Sequence, residues 1–202
     1  HYTINEVKFV SKELEIEFKN MLTKIEFEQL IMKYFPTTPA FSQTNCYFDT
    51  PNTQLKELSM GLRLRKRVGK NECTLKIPTK NEHAYQEITD NLTEEQITHL
   101  IKEKRIYAQG EVARYLESIN VPINELNMIG SLTTNRREKK LNNNTLLVVD
   151  ENYFDKMIDF ELEMEVTVSS QGEQFFNDFL IKEEIKRRPA SKKIARMIEY
   201  RS

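Results

Sequence analysis

The sequence predicts an α+β fold in which about eight antiparallel strands close into a barrel with a charged lumen and helices outside. Three stretches carry this expectation. Glu13-Leu14-Glu15-Ile16-Glu17-Phe18-Lys19 and Glu161-Leu162-Glu163-Met164-Glu165-Val166 place an acidic residue at every second position, and Leu62-Arg63-Leu64-Arg65-Lys66-Arg67 does the same with arginine. Successive side chains of a strand point to opposite faces, so each stretch has one charged and one apolar face. A single such strand is explained by a solvated outer face over a core. Three unrelieved strings are not, because like charges set side by side repel and ordinary surfaces mix their signs. Faces that meet around a shared interior account for all three, and a closed barrel supplies that interior. Unpaired ions inside it are costly unless filled by cations and a polyanion.

The elements follow in order. A first strand is expected over Val10–Lys19. Thr23 then opens a helix, with Glu26 three residues on completing a capping box, Ile25, Leu30, Ile31 and Tyr34 forming its apolar stripe, and Pro36 just beyond. Strands are expected at Thr44–Phe48, Gly61–Arg67, Cys73–Pro78 and Ala84–Thr89. Thr93 and Gln96 repeat the capping box for a helix toward Glu103, and a short helix is expected at Glu111–Ser118. Ser131–Leu141 and Thr145–Glu151 read as a hairpin around Asn142-Asn143-Asn144, and Asp159–Val168 as the last strand. Ser169-Ser170 reads as a turn before a helix over Gly172–Ile181. A final helix, Ser191–Tyr200, presents Ile194, Met197 and Ile198 to the core.

Composition narrows the class. The 202 residues, with 5 glycines and 6 prolines and no low-complexity segment, read as a single domain over 1–202. Basic and acidic residues number 30 and 31, so the net charge of −1 argues against a nucleic-acid polymer as partner. No run approaches the ~20 apolar residues of a membrane span. The N-terminus lacks the basic and apolar regions of a signal peptide. Cys46 and Cys73 belong to no CxxC or Cys/His cluster and read as reduced thiols. A cytoplasmic protein is expected, and a homodimer is allowed without being required. His83 and His99 stand apart from any ligand pattern and are expected on the surface. Neither a GxxxxGK[ST] loop nor a GxGxxG fingerprint occurs.

Glu15-Ile16-Glu17-Phe18-Lys19 resembles the ExExK signature of the CYTH superfamily, the triphosphate tunnel metalloenzymes. Further stretches resemble that family's landmarks in its order: Tyr47-Phe48-Asp49-Thr50, Gly61-Leu62-Arg63-Leu64-Arg65, Thr74-Leu75-Lys76, Tyr85-Gln86-Glu87-Ile88-Thr89, Asn135-Arg136-Arg137, Asp150, Glu161-Leu162-Glu163 and Ser191-Lys192-Lys193. The resemblance implies a tunnel that takes a triphosphate-containing small molecule together with Mg²⁺ or Mn²⁺. Carried over residue by residue, it implies Glu15, Glu17, Asp150, Glu161 and Glu163 as metal ligands. It implies Lys19, Arg63, Arg65, Lys76, Glu87, Arg136 and Lys192 at the substrate, with Lys76 and Lys192 in catalysis. Only one of Arg136 and Arg137, and one of Lys192 and Lys193, can point inward. Glu13 and Glu165 extend the acidic strings toward a tunnel mouth. The implied activity is a metal-dependent hydrolase of inorganic triphosphate or a small organic triphosphate such as thiamine triphosphate. The alternatives are an adenylate cyclase and a binder of polyphosphate or nucleotide without turnover.

Overall fold

The alternation read from the sequence becomes a closed barrel. The computed structural model describes residues 13–202, so the part of the first strand expected before Glu13 lies outside the described residues. Eight strands, β1 (Glu13–Leu22), β2 (Phe41–Asp49), β3 (Gly61–Lys66), β4 (Asn71–Pro78), β5 (Ala84–Leu92), β6 (Asn127–Asn142), β7 (Thr145–Tyr153) and β8 (Ile158–Val166), pair antiparallel in the closed order β1-β5-β4-β3-β2-β6-β7-β8. Closure brings the two acidic strings side by side: Glu17 opposes Glu165 and Lys19 opposes Glu163. Asp150 lies opposite Arg136 on one side and Glu161 on the other. Arg63 and Arg65 oppose Tyr47 and Asn45 on β2.

Helices cover the apolar outer faces. Against β1, β7 and β8, the side chains of Phe18, Leu147, Val149, Leu162 and Met164 pack with Phe27 and Leu30 of α1 (Lys24–Tyr34). Phe176, Phe179 and Leu180 of α5 (Ser169–Lys182) join them, reached across the four-residue helix α2 (Gln54–Glu57), α3 (Glu94–Glu103) and α4 (Glu111–Ser118) in chain order. Cys46, Phe48, Leu62, Leu64, Cys73, Leu75 and Ile88 on β2–β5 pack with Ile97 of α3 and with Val112 and Leu116 of α4. Burying each such side chain contributes about 1.5–3 kcal/mol, which lets the other face of every strand remain polar.

Both capping boxes form as the sequence indicates, with Thr23 and Thr93 accepting from the backbone N–H of Glu26 and Gln96. α4 begins at Gly110 without a side-chain cap of its own. Asp90 of β5 supplies one by accepting from the N–H groups of Glu111 and Val112 at 2.8 and 3.1 Å. Only glycine leaves room for this, since a Cβ at position 110 would lie 2.1 Å from the Asp90 carboxylate. Four local expectations are corrected. Ile198 of the C-terminal helix is exposed, while Met197 and Ile194 take the inner face. Ile25 is exposed, and Phe27 takes its place with Leu30 because the helix turns that side to β8. Leu14, at the very start of β1, is exposed as well. Ser169 and Ser170 are the first residues of α5 and not a turn before it.

Candidate active site

Charged side chains from every side line a cavity of about 1070 Å³ inside the barrel. Two walls differ in how their charge is met. On one, formed by β1, β7 and β8, Glu15, Glu17, Asp150, Glu161 and Glu163 each lie against a cation. Lys19 is 3.1 Å from Glu17, 3.7 Å from Glu163 and 3.8 Å from Glu161. Lys76 of β4 reaches Glu15 at 2.7 Å, Glu17 at 2.9 Å and Glu87 at 3.9 Å. Arg136 forks onto Asp150 with bonds of 2.8 and 2.7 Å and onto Glu163 at 3.1 Å.

The two adjacent basic pairs resolve differently. Arg136 is buried in the lumen, whereas Arg137 turns outward and donates to the Thr38 carbonyl. At the start of α6 (Lys193–Glu199), Lys193 enters the carboxylate cluster, 2.6 Å from Glu163, 2.9 Å from Asp150 and 3.4 Å from Glu161. Lys192, the residue carried over from the resemblance, instead caps that helix at the cavity rim. Its Nζ donates to the Ser59 carbonyl at 2.8 Å and lies 5.2 Å from the Tyr85 ring centre. The first turn of α6 is thus phased so that the second lysine points inward. Glu87 stands with the acidic group beside Lys76. Glu165 lines the cavity near Glu163, and Glu13 lines it at the start of β1.

Several residues that strand alternation does not reach complete the site. Arg196, buried, bonds Asp159 at 2.9 Å and also Glu161, and so ties α6 to β8. Met197 of the same helix packs on Tyr47, Leu132 and Phe154. His83, expected on the surface, is half-buried at the cavity edge, its ring 4.6 Å from that of Phe18. His99 is exposed as expected.

The opposite wall, β3, is built otherwise. Arg63 and Arg65 line the cavity, yet neither makes an ion pair among the described residues, in contrast to Lys19, Lys76, Arg136 and Lys193. The Nε of Arg63 is buried with no hydrogen-bond acceptor. Arg65 donates from Nε to the neutral Asn45 amide at 2.8 Å. Burial, together with Arg63 and Arg136, pulls the Arg65 guanidinium down to about 9. Burial of Arg63, by contrast, is outweighed by Glu87, Tyr47 and Glu15, which hold its guanidinium above its ordinary value. A partly desolvated cation short of such counter-charge is costly, and an anion entering the lumen would relieve that cost at Arg65.

The carboxylate wall shows the reverse pattern. Burial opposes ionisation of Glu17, yet Lys19 and Lys76 outweigh it and hold the carboxyl at about 2. Glu15 is pushed up to about 7 by burial, with Lys76 only partly offsetting it and Glu17 and Glu87 adding to it. For Glu161 burial outweighs Lys193 and raises the carboxyl. Asp150 stays below its usual range because Arg136 and Lys193 outweigh burial. Lys76 is held above the ordinary ammonium value, Glu17 and Glu15 overcoming its burial. Lys192 moves the other way, lowered by burial and by Lys76 and Lys19.

Residues 13–198 match the family model described as "CYTH domain". The chain belongs to the CYTH domain family. A curated relative, "Putative triphosphatase YjbK" of Bacillus subtilis (strain 168), is 34% identical over 191 residues, which cover 94% of this chain and 97% of the relative. Among solved structures, a Bacillus halodurans protein described as a "putative adenylate cyclase" is 31% identical, with a TM-score of 0.84 over 92% of this chain and 97% of that one. The Hippeastrum protein HpAC1 shares the fold, with a TM-score of 0.76, 18% identity and coverage of 93% and 96%. The closed eight-stranded barrel with its helices is therefore the CYTH architecture. Among the described residues no helix is long and apolar enough to cross a membrane.

Whether the acidic wall suits a divalent ion can be tested on its atoms. Among the described residues no three His, Cys, Asp or Glu side chains gather as a ready-made ion site, because the carboxylates here turn toward lysine and arginine. Their oxygens are nonetheless the hard donors that Mg²⁺ and Mn²⁺ prefer. Glu161 Oε1 is buried without a hydrogen-bond donor. The donor chemistry fits a divalent ion.

Proposed function

We propose that this CYTH protein, acting as one domain, binds a linear triphosphate in the barrel lumen and hydrolyses its terminal phosphoanhydride. The substrate would be inorganic triphosphate or a small organic triphosphate such as thiamine triphosphate. One observation carries the reading: the half-buried arginines Arg63 and Arg65 line the lumen, and neither makes an ion pair among the described residues. They face a carboxylate wall already supplied with cations. Guanidinium forks match phosphate oxygens, and a polyanion is what the arginine wall lacks. The 34% identity to the protein named "Putative triphosphatase YjbK" supports the same reading.

Arg63, Arg65 and Arg136 would hold non-bridging oxygens, with Lys19, Lys76 and Lys193 turning part of their charge from carboxylate to phosphate. Such positioning and charge stabilisation supply most of the catalysis of phosphoryl transfer. Glu15, Glu17, Asp150, Glu161 and Glu163 would hold Mg²⁺ or Mn²⁺, which when bound neutralises substrate charge and polarises phosphate oxygens. A water oxygen forms the new bond to the terminal phosphorus while the bridging P–O bond breaks. The leaving group keeps the electron pair, and inorganic triphosphate gives orthophosphate and pyrophosphate. Lys192, depressed by burial and by Lys76 and Lys19, is the better candidate to take the proton of that water. Lys76, held charged by Glu17 and Glu15, suits the grip on the leaving oxygens.

The test is phosphate release from tripolyphosphate and from thiamine triphosphate with Mg²⁺ or Mn²⁺, comparing wild type with Glu15→Gln and Arg63→Ala. Release by wild type and its loss in both variants is expected. Cyclic AMP formed from ATP without hydrolysis of either compound would replace the reading with a cyclase. Binding without turnover would replace it with a sensor.

A further inference from the structure

The arginine wall needs something to hold its guanidiniums in place, and the choice of that group is informative. Asn45 is fully buried on β2, directly across from Arg65 in the register. Its Oδ1 accepts the Arg65 Nε–H at 2.8 Å. Its Nδ2 is buried and meets no acceptor. The amide nitrogen therefore gains nothing, and an unmade hydrogen bond on a buried donor is a cost to the fold. An aspartate has the same shape and would put an oxygen where that nitrogen sits. It would form the paired fork that Arg136 makes with Asp150 elsewhere in the lumen. The one property an amide has here that a carboxylate lacks is neutrality.

The surroundings keep the same character. Gln43, two residues earlier on the same strand, is another buried amide, and Tyr47, two residues later, is uncharged. Glu72, which opposes Arg65 on β4, is taken up by Lys70 at 3.4 Å. Arg65 thus meets amide and phenol on the β2 side and a carboxylate already engaged on the β4 side.

We infer that Asn45 is a positioning and specificity-determining residue which fixes the direction of the Arg65 guanidinium while leaving its full charge for an incoming triphosphate. This rests on the reading of the lumen as a triphosphate site. It adds that the neutral side chain at position 45 decides how strongly the lumen takes an anion.

The test compares Asn45→Asp with Asn45→Ala, measuring tripolyphosphate binding by calorimetry, KM and kcat for phosphate release, and thermal unfolding without ligand. If neutrality is what matters, Asp damages binding more than Ala. Asn45→Asp is expected to weaken tripolyphosphate binding and raise KM by about 10–100-fold, as the loss of one charge-assisted phosphate contact would, with kcat changed less. The same substitution is expected to raise the melting temperature, because it gives Arg65 a counter-ion. Asn45→Ala, which loses only the hydrogen bond, is expected to lie between wild type and Asp in affinity and to melt below wild type. The opposite order, with Asp equal to wild type and Ala the weaker binder, would reduce Asn45 to a hydrogen-bond prop and overturn the inference. The melting arm stands apart from the activity: a lower melting temperature for Asp than for wild type overturns the claim of an uncompensated Arg65 whether or not tripolyphosphate is hydrolysed. Failure of wild type to bind tripolyphosphate, with the melting order as expected, instead overturns the triphosphate reading and the specificity role built on it.

Discussion

The β1–β7–β8 wall and the β3 wall enclose the same cavity, but they settle their charges differently. On the first, Glu163 is met by Lys193, Arg136 and Lys19 together, and Asp150 by Arg136 and Lys193. On the second, Arg65 meets an amide and Arg63 meets no hydrogen-bond acceptor at Nε. The first wall can stabilise the empty protein, since its ions are satisfied by one another. The second does so less, since Arg65, partly desolvated beside Arg63 and Arg136, is a cost carried by the fold. Stability and ligand affinity should therefore divide between the walls, and substitutions on each should move one quantity more than the other.

The largest effect is expected from Arg63→Ala or Arg65→Ala. Removing one donor aimed at developing charge costs about 100–1000-fold in rate, and phosphate release from tripolyphosphate should fall by that order. Thermal stability should hold or rise in Arg65→Ala, because a partly desolvated cation short of counter-charge has been removed. A large drop in melting temperature with unchanged turnover would abolish the contrast between the walls.

The mirror-image substitution is Glu163→Gln. It leaves Lys193 at 2.6 Å and Arg136 at 3.1 Å facing a neutral group. Breaking a buried ion pair by removing one partner costs about 3–5 kcal/mol. Urea unfolding of the metal-free protein should show a loss of that order, well beyond anything the arginine variants produce. Equal unfolding midpoints for Glu163→Gln and wild type would mean that the carboxylate cluster is not holding the barrel together.

How far the two walls could be read from the sequence differs as well. Alternation in β1, β3 and β8 is legible because each strand sets charge against aliphatic residues, so Glu15, Glu17, Arg63, Arg65, Glu161 and Glu163 declare their face. β6 is not legible in this way. From Asn135 to Lys140 both of its faces are polar, and Arg136 is distinguished from Arg137 only by its pairing with Asp150 across the ladder. The choice between Lys192 and Lys193, and the inward turn of Arg196, are illegible for a different reason. Both depend on the phase of a seven-residue helix, and one residue of drift swings a helical side chain by about 100°. Asn45 gave no signal, since one polar residue in Thr44-Asn45-Cys46-Tyr47 carries no charge pattern. α2 has no sequence signature because four residues are too few to show periodicity, and its first turn is fixed by the Asp49 carboxylate accepting from Leu55 and Lys56.

A smaller effect separates two neighbours within the acidic wall. Glu15 and Glu17 are two residues apart on β1, but Lys19 and Lys76 hold Glu17 at about 2 whereas burial pushes Glu15 to about 7. For Glu17 the unfolded chain takes up a proton first as pH falls below its ordinary value of 4.5, so this contribution is present above 4.5 and is lost toward 2. For Glu15 the folded state keeps its proton between 4.5 and 7 while the unfolded chain has released it. Stability from this group therefore falls as pH rises through that window. With a chelator present to exclude metal, Glu15→Gln should flatten the decline in melting temperature between about pH 5 and pH 7.5, leaving the acid limb set by Glu17 in place. Parallel melting curves for the variant and wild type across that range would mean that Glu15 ionises normally.

The smallest effect lies outside the lumen and checks that the others belong to it. Thr93 caps α3 by accepting from the Gln96 N–H at 3.1 Å, while the Gln96 side chain accepts from the Thr93 N–H at 2.9 Å. Replacing such a cap by alanine costs about 1 kcal/mol. α3 packs through Ile97 on the outer faces of the strands that carry the arginines and their neighbours, so Thr93→Ala loosens the support of the β3 wall from behind without touching a lumen side chain. If affinity resides in the local charge of Arg63 and Arg65, the variant should melt a few degrees lower yet keep the KM and kcat of wild type for tripolyphosphate. A KM that rose in step with the lost stability would mean that the arginine wall depends on the rigidity of its helical backing. Affinity would then be a property of the whole β3–α3 layer and not of the two guanidiniums alone.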